Sequence, residues 1–330
     1  MSVLFELLFL TLALHISEQA VSYSHEQTQA FSKEEMYQDI FPLSATNFSV
    51  KLLKSADPWI VIFHKGMLDR SWKSMAVSLR GVVWVAMIDT NMETKLLTKM
   101  KYEVNASEAR VYPYGSREVK TKNWKPVSNP NEARLLATRS LPDTTLKVKG
   151  ADVRDFVTES IMSKPTKFPA IIITEDEETS PVFKALAVRF HKYFHFGRMV
   201  RPNTGDLRQI GLDKLFLDMP ALLIMVTKSD SKTSQPEFNA ISFNKKSMGE
   251  MNYPNIMAFL FMVNRQFRHE LPLENGSNDK SIVEMADILK IENQRFDIGR
   301  EMVKKATRES VTLAPDVNNN NIATRITDEL

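Results

Sequence analysis

Two short runs, Pro58–Phe63 (Pro-Trp-Ile-Val-Ile-Phe) and Phe168–Ile173 (Phe-Pro-Ala-Ile-Ile-Ile), are apolar at every position, with no polar residue alternating in. Runs of this length read as strands, and a strand apolar on both faces must be covered on both faces. Each run therefore predicts the middle of a sheet with helices on either side.

The flanking segments supply those helices. The first half reads as a short extended piece near Leu43, a helix over Ala45–Lys54, the buried strand, a helix over Asp69–Leu79, and a second buried strand over Val82–Ile88. A helix over Met92–Lys101, paired strands at Ala109–Tyr112 and Glu118–Thr121, and a helix over Asn131–Arg139 complete it. From Leu141 the order returns: Thr144–Val148 extended, Ala151–Met162 helical, the strand Phe168–Ile173, and a helix over Ser180–Tyr193. The last carries Val182, Phe183, Leu186, Ala187 and Phe190 at helical spacing. A strand Phe194–Val200, a short helix Thr204–Gly211, strands Ala221–Thr227 and Ala240–Phe243, and a long helix Tyr253–Glu270 follow. One plan occurs twice, so the expected fold is α/β, with two tandem domains at 39–139 and 140–272, each a central mixed sheet flanked by helices. The basic cluster Arg117, Lys120, Lys122 and Lys125 reads as a solvated edge strand protected by charge.

A chain of 330 residues has room for two cores of the usual ~100 to 150 residues. Its 43 basic and 40 acidic residues nearly cancel. That excludes a high-capacity calcium buffer and gives no reason to expect nucleic acid. The chain contains no cysteine, so stability must come from burial, and thiol chemistry is excluded.

Both ends read as addresses. Val3–Leu14 is an apolar run of signal-peptide length, and Ala20-Val21-Ser22 places cleavage before Tyr23, so that 1–22 is removed. Thr327-Asp328-Glu329-Leu330 resembles the Lys-Asp-Glu-Leu retrieval signal and would be read by the retrieval receptor. No later stretch approaches 18 consecutive apolar residues, so no membrane anchor is expected after cleavage. The expectation is a soluble resident of the endoplasmic reticulum lumen. Sequons at Asn47, Asn105 and Asn275 fit that compartment, and Asn275, in a Gly/Ser/Asn loop, is the leading glycosylation candidate.

The run Asp57-Pro-Trp-Ile-Val-Ile-Phe63, the following Lys73-Ser-Met-Ala76 and the later Tyr112-Pro-Tyr-Gly115 resemble the thioredoxin-like domains of the protein disulfide isomerase family. The second half resembles them through Phe168-Pro-Ala-Ile-Ile-Ile-Thr174, Ser180-Pro-Val-Phe-Lys-Ala-Leu-Ala187 and Met219-Pro-Ala-Leu-Leu223. Redox-active members carry two cysteines, two residues apart, at the start of the helix after the second strand, where the helix N-terminus lowers the thiol pKa. Measured from Phe63, that position is Leu68-Asp69-Arg70-Ser71; measured back from Lys73 it is Asp69-Arg70-Ser71-Trp72. Neither contains sulfur. The family's cis-proline position falls on Ser107 in the first half and on Pro220, expected in cis after Met219, in the second.

Other constellations are weaker. His191 and His195 lack a third ligand at metal spacing, and the run Glu175–Glu178 lacks the alternation and turn glycine of a calcium loop, reading instead as a solvated, helix-capping loop. Ser71 near His64 and Asp69 lacks a nucleophile elbow. Met219, Met225, Met248 and Met251 form a candidate groove for varied apolar partners. Residues 273–330 are expected to hold a loop, an amphipathic helix over Asp279–Arg308 that folds back on the second domain, and a flexible tail.

The resemblance implies a redox-inactive protein that needs no cofactor or metal and binds unfolded or misfolded proteins, or another folding factor of that compartment. Two further readings stand beside it: a thiol-independent enzyme or glutathione-like binder at Met219-Pro220, and a scaffold subunit acting through the C-terminal helix.

Overall fold

The computed structural model describes residues 39–103, 107–210, 212, 219–228, 237–271, 284, 285, 287 and 288. The first half holds β1 (Ile40–Pro42), a single π-helical turn α1 (Ser49–Leu53), β2 (Trp59–His64), α2 (Arg70–Ser78), β3 (Trp84–Asp89) and α3 (Thr94–Lys99). It continues with β4 (Ala109–Tyr112), α4 (Arg117–Asn123), β5 (Lys125–Val127) and α5 (Pro130–Arg139). The second half holds β6 (Leu146–Lys147), α6 (Val153–Met162), β7 (Phe168–Thr174), α7 (Pro181–Phe190), β8 (Phe194–Val200) and α8 (Thr204–Gln209). It closes with β9 (Ala221–Lys228), β10 (Glu237–Ser242), α9 (Lys245–Met248) and α10 (Tyr253–Phe267).

The two sheets share one strand order, β1-β3-β2-β4-β5 and, read from the same side, β6-β8-β7-β9-β10. The two apolar runs are the central strands, each parallel to one neighbour and antiparallel to the other. Strand alternation divides their side chains between two cores. Ile60 and Ile62 pack with Trp72, Met75 and Ala76 of α2 and with Ala133 and Ala137 of α5. Trp59, Val61 and Phe63 pack with Leu52 and Leu53 of α1 and Leu96 and Leu97 of α3. In the second sheet Ala170 and Ile172 meet α7 and α10, while Ile171 and Ile173 meet α6 and α8. Fully covering one such isoleucine stabilises by roughly 1.5–3 kcal/mol, which is how the chain folds without cross-links. Helix starts follow from capping: Asn129 before Pro130 opens α5, Ser180 before Pro181 opens α7, and both side chains accept backbone N–H groups.

The core between α2 and α5 runs on into the core of α7 and α10, so one apolar cluster joins the halves. At the joint, Arg189 of α7 donates to the Gly81 carbonyl, lies 3.2 Å from the Asp57 carboxylate and stacks 5.1 Å from the centre of the Tyr253 ring. Trp84 donates to the other Asp57 oxygen at 3.1 Å.

One expected element is different. Glu118–Thr121, read as a strand, lies within helix α4, and the edge strand that pairs with β4 is β5. Ser116 caps α4 by accepting from Val119 N–H. Lys120 is not a solvated edge residue: it is fully covered, and its ammonium donates to the carbonyls of Leu52 (3.1 Å) and Asp57. The carbonyls at the end of α1 need a donor, and Lys120 supplies it. Among the described residues no helix is long and apolar enough to cross a membrane.

Candidate functional site

The carboxyl ends of β2 and β3 form one end of the first sheet, where His64 pairs with Asp89. Thr90 closes that end by donating its N–H and its hydroxyl to the His64 carbonyl, at 3.0 and 3.1 Å. The loops leaving the two strands each carry an exposed methionine, Met67 at 81% and Met92 at 80% of full exposure. Met67 follows the turn residue Gly66, and Met92, expected to open a helix, lies in a turn instead, because α3 begins only at Thr94.

Beyond Met67 the chain enters α2 through Asp69, whose Oδ1 accepts from the Ser71 N–H at 2.7 Å and from the Ser71 hydroxyl. The hydroxyl bond, then the backbone bond, holds the Asp69 carboxyl below the usual carboxylate range. The helix end that would stabilise a thiolate in a redox domain thus holds a carboxylate. Leu68 and Trp72 are buried on either side, Arg70 and Ser71 are exposed, and the Trp72 indole donates to the Glu108 carboxylate at 3.1 Å. Asp69 stands at the cap of α2 and Trp72 within its first turn. The Ser71 hydroxyl is engaged by Asp69, while the His64 ring bonds the Gly66 carbonyl at 2.8 Å.

The ladders relate this end to its counterpart in the second half. Two residues before the strand ends His64 and Thr174, Ile62 pairs with Ala109 and Ile172 with Leu222. Two residues before those partners stand Ser107 and Pro220. The Met219–Pro220 bond is cis. Ser107 is buried, and its carbonyl accepts from the Tyr102 hydroxyl at 3.2 Å. In the second half the loop Glu175–Thr179 leaves β7 and is tied down by bases. Arg201 donates to the Glu175 carbonyl at 2.9 Å, Arg198 to that of Glu177, and the Glu177 carboxylate meets Lys147 and Arg201 at 3.5 and 3.7 Å. The acids therefore do not cap α7, because Ser180 does.

No family model matches the chain. A curated protein of Dictyostelium discoideum, described as "Putative protein disulfide-isomerase", is 22% identical over 206 residues, covering 59% of this chain and 47% of that protein. The chain thus spans about half the length of the curated relative it matches. Among solved structures, ERdj5 in form I gives a TM-score of 0.45 at 14% identity, covering 76% of this chain and 32% of that one. The zinc-bound form of human ERp44 gives 0.27 at 11%, covering 74% and 65%. The fold itself rests on the doubled strand order and register. The chain is a cysteine-free tandem of thioredoxin-like domains. It is similar to the protein disulfide isomerase family, as its sequence motifs imply, and without cysteine it has no thiol–disulfide exchange of its own.

The thioredoxin-like scaffold disperses the remaining candidates. The four methionines do not form one groove: Met225 is buried, and with Met219 it joins the core under α6, on one face of the second sheet. Met248 is buried with Met251 against the core of α10 on the other face. Alternation along β9 turns Met225 away from the face where Ile224 meets α10. His195 in β8 bonds Ser160 at 2.9 Å and His191 bonds the Val188 carbonyl at 2.7 Å, so the pair shares no ligand position. Among the described residues no His, Cys, Asp and Glu side chains gather into a group able to hold a metal ion. The half-buried Asn47 amide is engaged at both ends, accepting from Ser44 N–H (2.9 Å) and donating to the Pro42 carbonyl (3.2 Å). Asn105, Asn275, the segment 1–22 and the tail Thr327–Leu330 lie outside the described residues. Of the expected C-terminal helix, the described turn folds back on the second domain. Glu284 accepts from Tyr193 (2.8 Å) and Lys192 (2.7 Å), and Met285 is buried in the α10 core.

Proposed function

We propose that this chain is a non-catalytic folding factor of the endoplasmic reticulum lumen. It would hold apolar segments of unfolded or misfolded polypeptides, or of another folding factor, at the sheet end bearing Met67 and Met92. The observation that carries this reading is two almost fully exposed thioethers beside a helix N-terminus capped by Asp69. Methionine is unbranched and polarizable, so it adapts to varied apolar partners. Covering two such side chains contributes at most several kcal/mol, about 1.5–3 each, before the cost of association, which fits weak and reversible capture. Similarity to a curated relative named as a disulfide isomerase supports a role in folding, and the two end segments support the lumenal address.

The test is aggregation of a heat-unfolded client enzyme, followed by light scattering. The wild-type chain is expected to slow it at equimolar ratio, while leaving insulin disulfides unreduced. The M67K/M92K variant, with unchanged circular dichroism, is expected to lose at least half of the protection. A wild-type chain without effect, or a variant that protects as well as wild type, overturns the reading.

A further inference from the structure

The near-neutral chain hides a strong asymmetry. Residues 39–139 carry 16 lysines and arginines against 9 aspartates and glutamates, whereas the rest of the chain carries 27 against 31. The excess gathers on the side of the first sheet covered by α1, α3 and α4, where Lys51, Lys54, Lys99, Lys101, Lys122 and Lys125 are all exposed. Two buried cations assemble this face. Lys120 ties α4 to the carbonyl of Leu52 at the end of α1 and to that of Asp57. Arg110 donates to the Met100 and Lys101 carbonyls beyond α3, at 2.8 and 3.2 Å, and stacks 4.1 Å from the Trp124 ring that follows α4.

Those buried cations already satisfy carbonyls that surface lysines would otherwise serve. Among the described residues, Lys122 alone of the six exposed lysines has a carboxylate within ion-pair distance, that of Glu118 at 2.7 Å. A face whose exposed cations outnumber its acids, Glu93 and Glu118 among them, repels itself and attracts an anionic partner.

We infer that this face binds an acidic polypeptide segment, independently of the site at Met67 and Met92. A membrane-docking face would present apolar side chains for insertion beside its cations. Here Leu52, Leu53, Leu96 and Leu97 are all buried in the core, and among the described residues of α1, α3 and α4 Val50, 56% exposed, is the large apolar residue left outside. A nucleic-acid face would offer free aromatic rings for stacking, whereas the Trp124 ring is taken by Arg110.

The experiment titrates the full chain with a fluorescent peptide of about twelve glutamates and with its glutamine counterpart, at low and raised salt. The glutamate peptide is expected to bind at low salt, at least about tenfold more tightly than in 0.3 M salt, and the glutamine peptide not to bind. The K54E/K99E/K125E variant is expected to weaken binding by at least about tenfold, while the control K149E/R154E/R208E on the second domain stays within about twofold. Failure of the wild type to bind, equal losses in the two variants, or tighter binding to vesicles of anionic lipid than to the peptide overturns the inference. Client protection measured on K54E/K99E/K125E stays at the wild-type level, so the fate of this face is separable from that of the methionine site.

Discussion

Replacing Gly81 by alanine is expected to lower the unfolding free energy by about 3 kcal/mol and to separate the two thioredoxin-like domains at their joint. Gly81 has φ +76, where a side chain costs roughly 1–2 kcal/mol. A Cβ built there lies 2.0 Å from Cδ1 of Tyr253 and 2.4 Å from Cγ, far inside van der Waals contact. The ring has little room to retreat, because Tyr253 is buried at the start of α10 and the Arg189 guanidinium covers it. Overpacking of that kind costs about 1–3 kcal/mol more, and the total corresponds to a fall of roughly 6–12 °C in the melting midpoint. The same shift would move the carbonyl to which Arg189 donates and loosen its contact with Asp57. A double-mutant cycle isolates the ring: in a Y253A background the G81A cost should fall by at least about 1 kcal/mol, leaving the backbone component. Additive costs would show that the ring and Gly81 do not meet in solution.

That joint had no local signature. Arg189 and Gly81 are far apart in sequence, and nothing in either neighbourhood marks the contact. The central strands were readable for the opposite reason: β2 and β7 are apolar on both faces, a condition only the middle of a covered sheet satisfies. Helix α4 escaped notice because it inverts the usual pattern. Its covered residue is Lys120, and it has no apolar stripe; only Ser116 at the cap, with Glu118 in the first turn, announced it. The loss of redox chemistry was legible in the cysteine count. The Asp69 cap was legible in principle from an acid just before a helical stretch. Exposure was not. Met67 and Met92 are outside and Met225 and Met248 inside because of how strands and helices meet in space, and methionine composition carries no information about that.

Lys120 gives the largest pH effect expected of this chain. Burial pulls its pKa down to about 8 from an ordinary 10.5, partly opposed by the nearby Asp57 carboxylate. In the unfolded chain the same lysine keeps its proton until about pH 10.5. Between those values the unfolded state binds more protons, so stability rises with pH across the window; below pH 8 the lysine is charged in both states and the full cost of burying the charge is present. The lysine alone would contribute about 3 kcal/mol over the whole window, from 1.36 kcal/mol per pKa unit, of which roughly half accumulates before the tyrosines reverse the trend. Buried and half-buried tyrosines set its upper limit. Desolvation raises the phenols of Tyr102, Tyr112 and Tyr193, so above about pH 10 the unfolded chain loses protons that the folded chain keeps, and stability falls again. Urea unfolding midpoints should therefore climb from pH 7.5 to a maximum between pH 9 and 10 and then decline. Lys120→Met, similar in length and apolar, should remove the climb and leave the decline. At neutral pH its stability should lie close to wild type, since relief of the charge offsets the lost bonds to the Leu52 and Asp57 carbonyls. A K120M chain whose midpoint still rises between pH 8 and 10 would assign the proton to another group and free Lys120 from the role of a buried charge holding α1 to α4.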